Sequence, residues 1–67
     1  MKVHELLAIT EAGTLVSIIN DKRKVVTEDN KEEIINGEYK DREVNEIFPD
    51  TIECDRDFIP VLIVQIK

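Results

Sequence analysis

The sequence has very few of the residues that cross-link a small protein or stack on bases. Its 67 residues include one cysteine and three aromatic side chains. The lone Cys54 cannot form the internal disulfide that small extracellular domains usually need, so we expect a reducing, cytoplasmic location. Tyr39, Phe48 and Phe58 are too few for the stacking platform typical of single-strand binding proteins. The composition therefore excludes a disulfide-stabilised domain and argues against direct nucleic-acid binding.

Long apolar segments are also missing. The apolar stretch at the N-terminus is interrupted by Glu5, Thr10 and Glu11, so it lacks the continuous core of a signal peptide. The most apolar run, residues 58–66, is too short to span a bilayer as a helix and contains Pro60. We therefore expect a soluble protein with no membrane partner.

Groups for nucleophilic catalysis are scarce. Such chemistry needs a nucleophile beside an oriented base, and the chain has one histidine, His4, and one cysteine, Cys54. Glu53 and Asp55 flank Cys54, and their negative charges disfavour the reactive thiolate. Two such ligands are too few for a zinc site unless two subunits each contribute a pair. We predict a protein that is not an enzyme.

Ion-binding motifs are missing as well. Asp50, Glu53, Asp55 and Asp57 lack the spacing and the bending glycine of a calcium loop. The two glycines stand alone, so there is no phosphate-binding loop. We predict no metal and no cofactor.

What the sequence does contain is acidic charge, and it is unevenly distributed. The net charge is −6, and residues 28–57 hold twelve of the fifteen acidic side chains against four basic ones. This segment repels phosphate backbones but can attract a basic protein. A merely solvated face is the competing interpretation, because small soluble domains commonly carry such charge. The candidate partner-binding residues are Glu28, Asp29, Glu32, Glu33, Glu38, Asp41, Glu43, Glu46, Asp50, Glu53, Asp55 and Asp57.

Hydrophobic periodicity predicts the first half of the fold. Val3, Leu6 and Leu7 share one face of a helix over residues 2–9. Residues 14–19 and 22–27 are rich in β-branched side chains and predict two strands joined as a hairpin.

Residues 30–37 fit two structures. Asn30 and Glu33 resemble the capping box of a short helix, whereas Asn36-Gly37 is a strong hairpin signal. Early acidic residues and the late glycine favour the helix.

The second half of the chain predicts two more strands. Residues 42–48 form a strand that Pro49 stops, although Val44 and Ile47 fall on opposite faces and require a bulge or an edge position. Residues 51–57 form a polar connection. Residues 58–66 are apolar on both faces, which is typical of a central strand. We therefore predict one α+β domain over residues 1–67: a four-stranded, mainly antiparallel sheet, open or barrel-like, with an N-terminal helix and a short second helix.

The last strand also predicts self-association. Two short helices can cover only one face of the sheet, which leaves Ile59, Val61 and Ile63 on the other. Monomeric proteins seldom expose large apolar patches, so we expect a homodimer through these residues. A curled sheet that covers its own second face is the alternative.

The stretch Tyr39-Lys40-Asp41-Arg42-Glu43-Val44, followed by Glu46-Ile47-Phe48-Pro49, resembles a group of small uncharacterised proteins encoded by phages and prophages of Firmicutes. Members open with a short helix like residues 2–7, continue with a strand like residues 14–18 and end on an apolar strand. The resemblance implies an intracellular protein of a mobile element that acts on host machinery. It carries no established activity and no functional residues.

Together these observations predict a non-enzymatic protein-binding module. Its acidic surface would inhibit or modulate a basic, nucleic-acid-binding host protein by mimicking nucleic acid. The alternatives are a structural module that assembles with its own copies, and a small-ligand binder with a pocket at a subunit interface.

Overall fold

The computed structural model describes residues 1–67 and contains two short helices and four strands. In chain order they are α1 (Val3–Ala8), β1 (Leu15–Ile19), β2 (Val25–Asn30), α2 (Lys31–Ile34), β3 (Val44–Cys54) and β4 (Asp57–Ile66). The predicted α+β class and four-stranded sheet are confirmed. Neither helix is long and apolar enough to cross a membrane.

The strands form one open sheet in the order β2-β1-β4-β3. The β1–β2 hairpin is antiparallel, as predicted. The β3–β4 pair is also antiparallel and β1–β4 is parallel, so the sheet is mixed. Strands β2 and β3 are edges, which means that the sheet is not closed into a barrel. Strand β4 is central, as its two apolar faces predicted.

Both helices pack on one face of the sheet, here called the helical face. Leu6 and Leu7 of α1 and Ile34 of α2 join Ile18 and Val64 in the core. The opposite face, here called the open face, carries no helix. Its central positions, Ser17, Ile19, Val61 and Gln65, are nevertheless at most 7% exposed.

The loop between β1 and β2 helps to cover one end of the open face. The Arg23 guanidinium lies 5.8 Å from the centre of the Phe48 ring on β3. The Gln65 side chain donates to the Asn20 carbonyl at 3.3 Å and accepts from the Asn45 amide at 3.2 Å. These contacts explain how a polar side chain is buried in a central strand without losing its hydrogen bonds.

Strand β2 differs from its prediction over residues 22–27. The Asn20 side chain accepts hydrogen bonds from the main-chain N–H groups of Lys22 and Lys24, both at 2.9 Å. This Asx turn holds residues 20–24 as a loop, with Arg23 at a φ of 63°. The strand therefore begins at Val25 and continues to Asn30.

The segment after β2 is a helix, as favoured, and not a hairpin. Asn30 takes the N-cap position but makes no side-chain capping bond, so the predicted capping box is not formed. Lys31 secures the helix to α1 instead: its Nζ donates to the carbonyls of Leu7 at 3.0 Å and Thr10 at 2.5 Å. The ammonium group thereby caps the negative end of α1.

Strand β3 does not stop at Pro49, so that prediction is wrong. It runs to Cys54, and a two-residue turn at Asp55 and Arg56, with φ of 47° and 74°, leads into β4. The residues that flank such a turn form a hydrogen-bonded pair, and the pair type then alternates along the ladder. Pro49 and Pro60 fall at non-hydrogen-bonded positions, so neither removes a bond between the two strands.

The predicted conflict between Val44 and Ile47 is resolved in both anticipated ways. The register shifts between Val44 and Glu46, so that Asn45 is an extra residue in an edge strand. The bulge turns Val44 toward the core, where it packs beside Ile66.

Candidate functional site: the acidic rims and the open face

All twelve predicted partner-binding carboxylates are exposed, but the sheet divides them. One group, here called the β2 rim, lies on β2, α2 and the residues that follow (Glu28, Asp29, Glu32, Glu33, Glu38). A second group, the β3 rim, lies on β3, its turn and the first residue of β4 (Glu46, Asp50, Glu53, Asp55, Asp57). Asp41 and Glu43 lie in the connection between α2 and β3.

The two rims are separated by uncharged central strands. Strand β1 has no acidic residue, and β4 has one only at its first position, Asp57. Three strand spacings of about 4.8 Å place strands β2 and β3, with the carboxylates that they carry, roughly 14 Å apart across the sheet. The sequence predicted one coherent negative surface, whereas the strand order produces two parallel bands.

The strand register shows which side chains lie side by side across the open face. Glu28 lies opposite Ser17, Ser17 opposite Ile63, and Ile63 opposite Phe48. Asp50 and Glu46 flank Phe48 on the same face of β3. A strip of mostly apolar side chains thus runs between a carboxylate on β2 and two on β3. Because four central positions of this face are at most 7% exposed, the face presents its carboxylates and the half-buried Ile63 and Phe48 rather than a broad apolar patch.

Few of these carboxylates are neutralised within the chain. Glu43 lies 3.4 Å from the N-terminal amino group, and Asp41 lies 3.8 Å from Nε2 of His4. The remaining ten have no basic partner within 4.0 Å. Their charge is therefore available to a partner molecule.

Glu32 differs from its neighbours because it supports the fold. Its Oε1 accepts the Gly13 main-chain N–H at 2.8 Å, and this hydrogen bond lowers the pKa of Glu32 below its ordinary value. Glu5 accepts the Lys2 N–H at 2.8 Å, which lowers its pKa in the same way. Glu32 thus anchors the loop after α1, and its removal would alter structure as well as charge.

Three residues of the β2 rim also share a small pocket. Asp29, Glu33 and Glu38 line a cavity of 270 Å³ together with Ile34 and Tyr39. No group of three or more histidine, cysteine or carboxylate side chains is placed to hold a metal ion. The pocket is therefore an acidic depression in the rim, sized for a side chain.

The predicted self-association residues differ in exposure. Val61 is only 5% exposed, Ile63 is half-buried, and Ile59 is 38% exposed. Ile59 and Val61 line an open groove of 680 Å³ at the end of the sheet where β1 begins. Of the three, Ile59 offers the most surface to a second copy.

His4 and Cys54 are not brought together. His4 lies beside Asp41, just before β3, whereas Cys54 is exposed at the far end of that strand. The ten residue-to-residue steps from Val44 to Cys54, at about 3.3 Å each, separate the two ends of β3 by roughly 33 Å.

Sequence reasoning missed the residues of the β3–β4 turn and its flanks. Phe58 is 70% exposed and Ile52 is 37% exposed, although both are large and apolar. The only available signal was that Phe58 follows three consecutive charged residues, Asp55, Arg56 and Asp57, which had indicated a loop.

Comparisons with models of known protein families, with curated proteins and with solved structures gave no match to this chain.

Proposed function

We propose that the protein is a non-enzymatic protein-binding module, of phage or prophage origin, that acts in the host cytoplasm. Its acidic rims bind a basic, nucleic-acid-binding surface of a host protein and thereby inhibit or modulate it. The observation that carries the proposal is that ten exposed carboxylates lack internal basic partners. Unpaired surface charge of one sign accelerates association with an oppositely charged partner.

The spacing of the rims supports mimicry of nucleic acid. Two bands of negative charge roughly 14 Å apart compare with the two phosphate rows that border the DNA major groove, about 12 Å wide. A protein surface that presents two groups of lysine and arginine to a duplex can face Glu28 at one edge of the open face and Glu46 and Asp50 at the other.

The test is capture of proteins from a Firmicute lysate on the immobilised chain. A basic nucleic-acid-binding protein should be retained, high salt should release it, and duplex DNA should compete with it. Neutralising Glu28 and Glu33 to glutamine should weaken retention about tenfold, a loss of about 1.4 kcal/mol.

Asp21→Lys is the matched control, because it brings the net charge to the same value but lies outside residues 28–57. If all three chains retain the partner equally, or if both variants lose the same amount of retention, the rims are solvated faces and not a binding surface. Glu32 is omitted from the variants because it holds Gly13.

Self-association is the second candidate function. The exposed apolar side chains Phe58, Ile52 and Ile59 favour it. A small-ligand site between subunits depends on the same assembly, so light scattering at micromolar concentration tests both alternatives.

A further inference from the structure

The β3–β4 hairpin extends beyond the rest of the sheet. Strand β1 pairs with β4 only from Val61 to Gln65, whereas β3 pairs with it as far as Asp57. Residues 51–60 therefore form a two-stranded arm with no third strand beside it. The arm carries the exposed apolar residues Ile52, Phe58 and Ile59.

The groove of 680 Å³ lies in the notch where the arm leaves the sheet. Its apolar lining includes Ile59, Val61 and Leu62 of β4, together with Ala12 and with Leu15, which pairs with Val61. A volume of this size accommodates a drug-sized ligand or a few residues of an extended peptide.

The backbone of the arm limits what can bind beside it. Phe58 and Pro60 occupy non-hydrogen-bonded positions toward β3, so their main-chain groups face the notch. Phe58 offers one free N–H and one free carbonyl. The Pro60 carbonyl is used in the β1–β4 ladder, where the pairing of Leu15 with Val61 directs the Leu15 N–H to it. The edge can therefore hold only a short extended segment beside Phe58.

Charge distinguishes a foreign segment from a second copy. The arm contains Glu53, Asp55 and Asp57 against the single Arg56, and the groove lining includes Glu11 but no lysine or arginine. A second copy would bring another acidic arm toward an acidic groove, and like charges at an interface are unfavourable. A cationic segment meets opposite charge on both sides.

We propose that the arm and the groove together bind a short extended segment of a partner protein, with an apolar side chain in the groove and neighbouring lysine or arginine side chains against the arm. This inference rests on the proposed function and deepens it, because it places an apolar anchor beside the acidic β3 rim. Apolar burial then supplies affinity that surface charge alone does not.

The experiment selects peptides from a displayed library of random nonapeptides on the immobilised chain. The selected peptides should contain one apolar residue flanked by basic residues. Ile59→Ser should weaken their binding about tenfold. Val26→Ser is a matched control, because Val26 is 37% exposed, Ile59 is 38% exposed, and Val26 does not line the groove. Ile59→Thr provides a milder second variant, and circular dichroism confirms that each variant is folded.

The outcomes separate this inference from the proposed function. One outcome would overturn the groove as a binding site but support the acidic surface. In it, the selected basic peptides lack an apolar residue and bind the Ile59→Ser variant as well as the unchanged chain. Their affinity falls only when Glu28 and Glu33 are neutralised. Selection of no basic peptide would overturn both. A dimer in light scattering that becomes monomeric with Ile59→Ser would assign the groove to a second copy and overturn the inference.

Discussion

Lys31→Met tests whether a single ammonium group joins the two helices. Nζ of this partly buried lysine donates to the Leu7 and Thr10 carbonyls at the C-terminal end of α1. No main-chain N–H donates to the Thr10 carbonyl, so the substitution leaves that oxygen without a protein donor. Methionine keeps most of the apolar length of lysine, so the change isolates the charged hydrogen bonds.

The expected cost follows from these two contacts. A hydrogen bond to a charged group contributes about 1.5–3 kcal/mol, and a cation at a helix C-terminus adds about 0.3–1 kcal/mol at an exposed site. Partial exposure and the entropy of ordering a long side chain reduce the sum. We expect a loss of about 1–2 kcal/mol, which lowers the melting temperature of a domain of this size by roughly 5–15 °C.

Thermal and urea unfolding followed by circular dichroism measures this loss. Lys24→Met is the control, because Lys24 is exposed and its side chain makes no hydrogen bond in the structure. Equal melting temperatures for the two variants would refute the role of Lys31. The effect should also persist at high salt, since a partly buried contact is screened less than a surface ion pair.

Four further predictions address the remaining features. The pKa of Glu32 is lower in the folded chain than its ordinary value of 4.5, so its stabilising contribution is present above pH 4.5 and is lost as the pH falls through the folded-state pKa. Glu32→Gln should therefore reduce the fall in melting temperature between pH 4.5 and lower pH. Gly13→Ala should lower the free energy of unfolding in urea by about 1 kcal/mol, because Gly13 has a φ of 81° that an alanine adopts only under strain. Nothing lies within 4 Å of the added Cβ, so a clash adds nothing, and an unchanged free energy would refute the strain. Arg56→Gly should relieve a φ of 74° and slow amide exchange in the arm, and unchanged exchange would count against a strained turn. Cys54→Ser combined with His4→Ala should leave partner binding and melting temperature unchanged; loss of function with the fold retained would contradict the prediction that the protein is not an enzyme.

The elements that the sequence predicted well are those whose signal is local. The helix at Val3–Ala8 and the strands at Leu15–Ile19 and Asp57–Ile66 each show a hydrophobic period of their own. The bulge near Asn45 was also anticipated, because Val44 and Ile47 could not both reach the core from a regular strand.

The arm could not be predicted for a physical reason. Pro49 normally ends a strand, and whether it is tolerated depends on which pairs of the ladder are hydrogen-bonded. That alternation is set by the turn at Asp55 and Arg56, which contains neither glycine nor asparagine and therefore gives no turn signal. A polar connection was the natural interpretation of residues 51–57 until the turn position was known.

The sequence predicted which residues form the acidic site but not where they lie relative to one another. The exposure of the twelve carboxylates follows from the cost of burying charge, which holds for any sequence. Their division into two rims follows from the parallel pairing of β1 with β4, a contact between residues more than forty positions apart. No local pattern encodes a pairing of that separation.

The position of the acidic rims has a cause that is independent of function. Strands with two apolar faces are typical of the centre of a sheet; here β1 and β4 occupy the centre and the charged strands occupy the edges. Charge on an edge strand also prevents edge-to-edge aggregation. The rims therefore protect the sheet whether or not a partner exists. The charge-matched comparison of Asp21→Lys with the glutamine variants separates these two roles. Protection against aggregation requires only that the edge strands carry charge. Recognition of a partner requires the particular carboxylates that contact it. A variant that stays monodisperse but loses its partner separates the two roles.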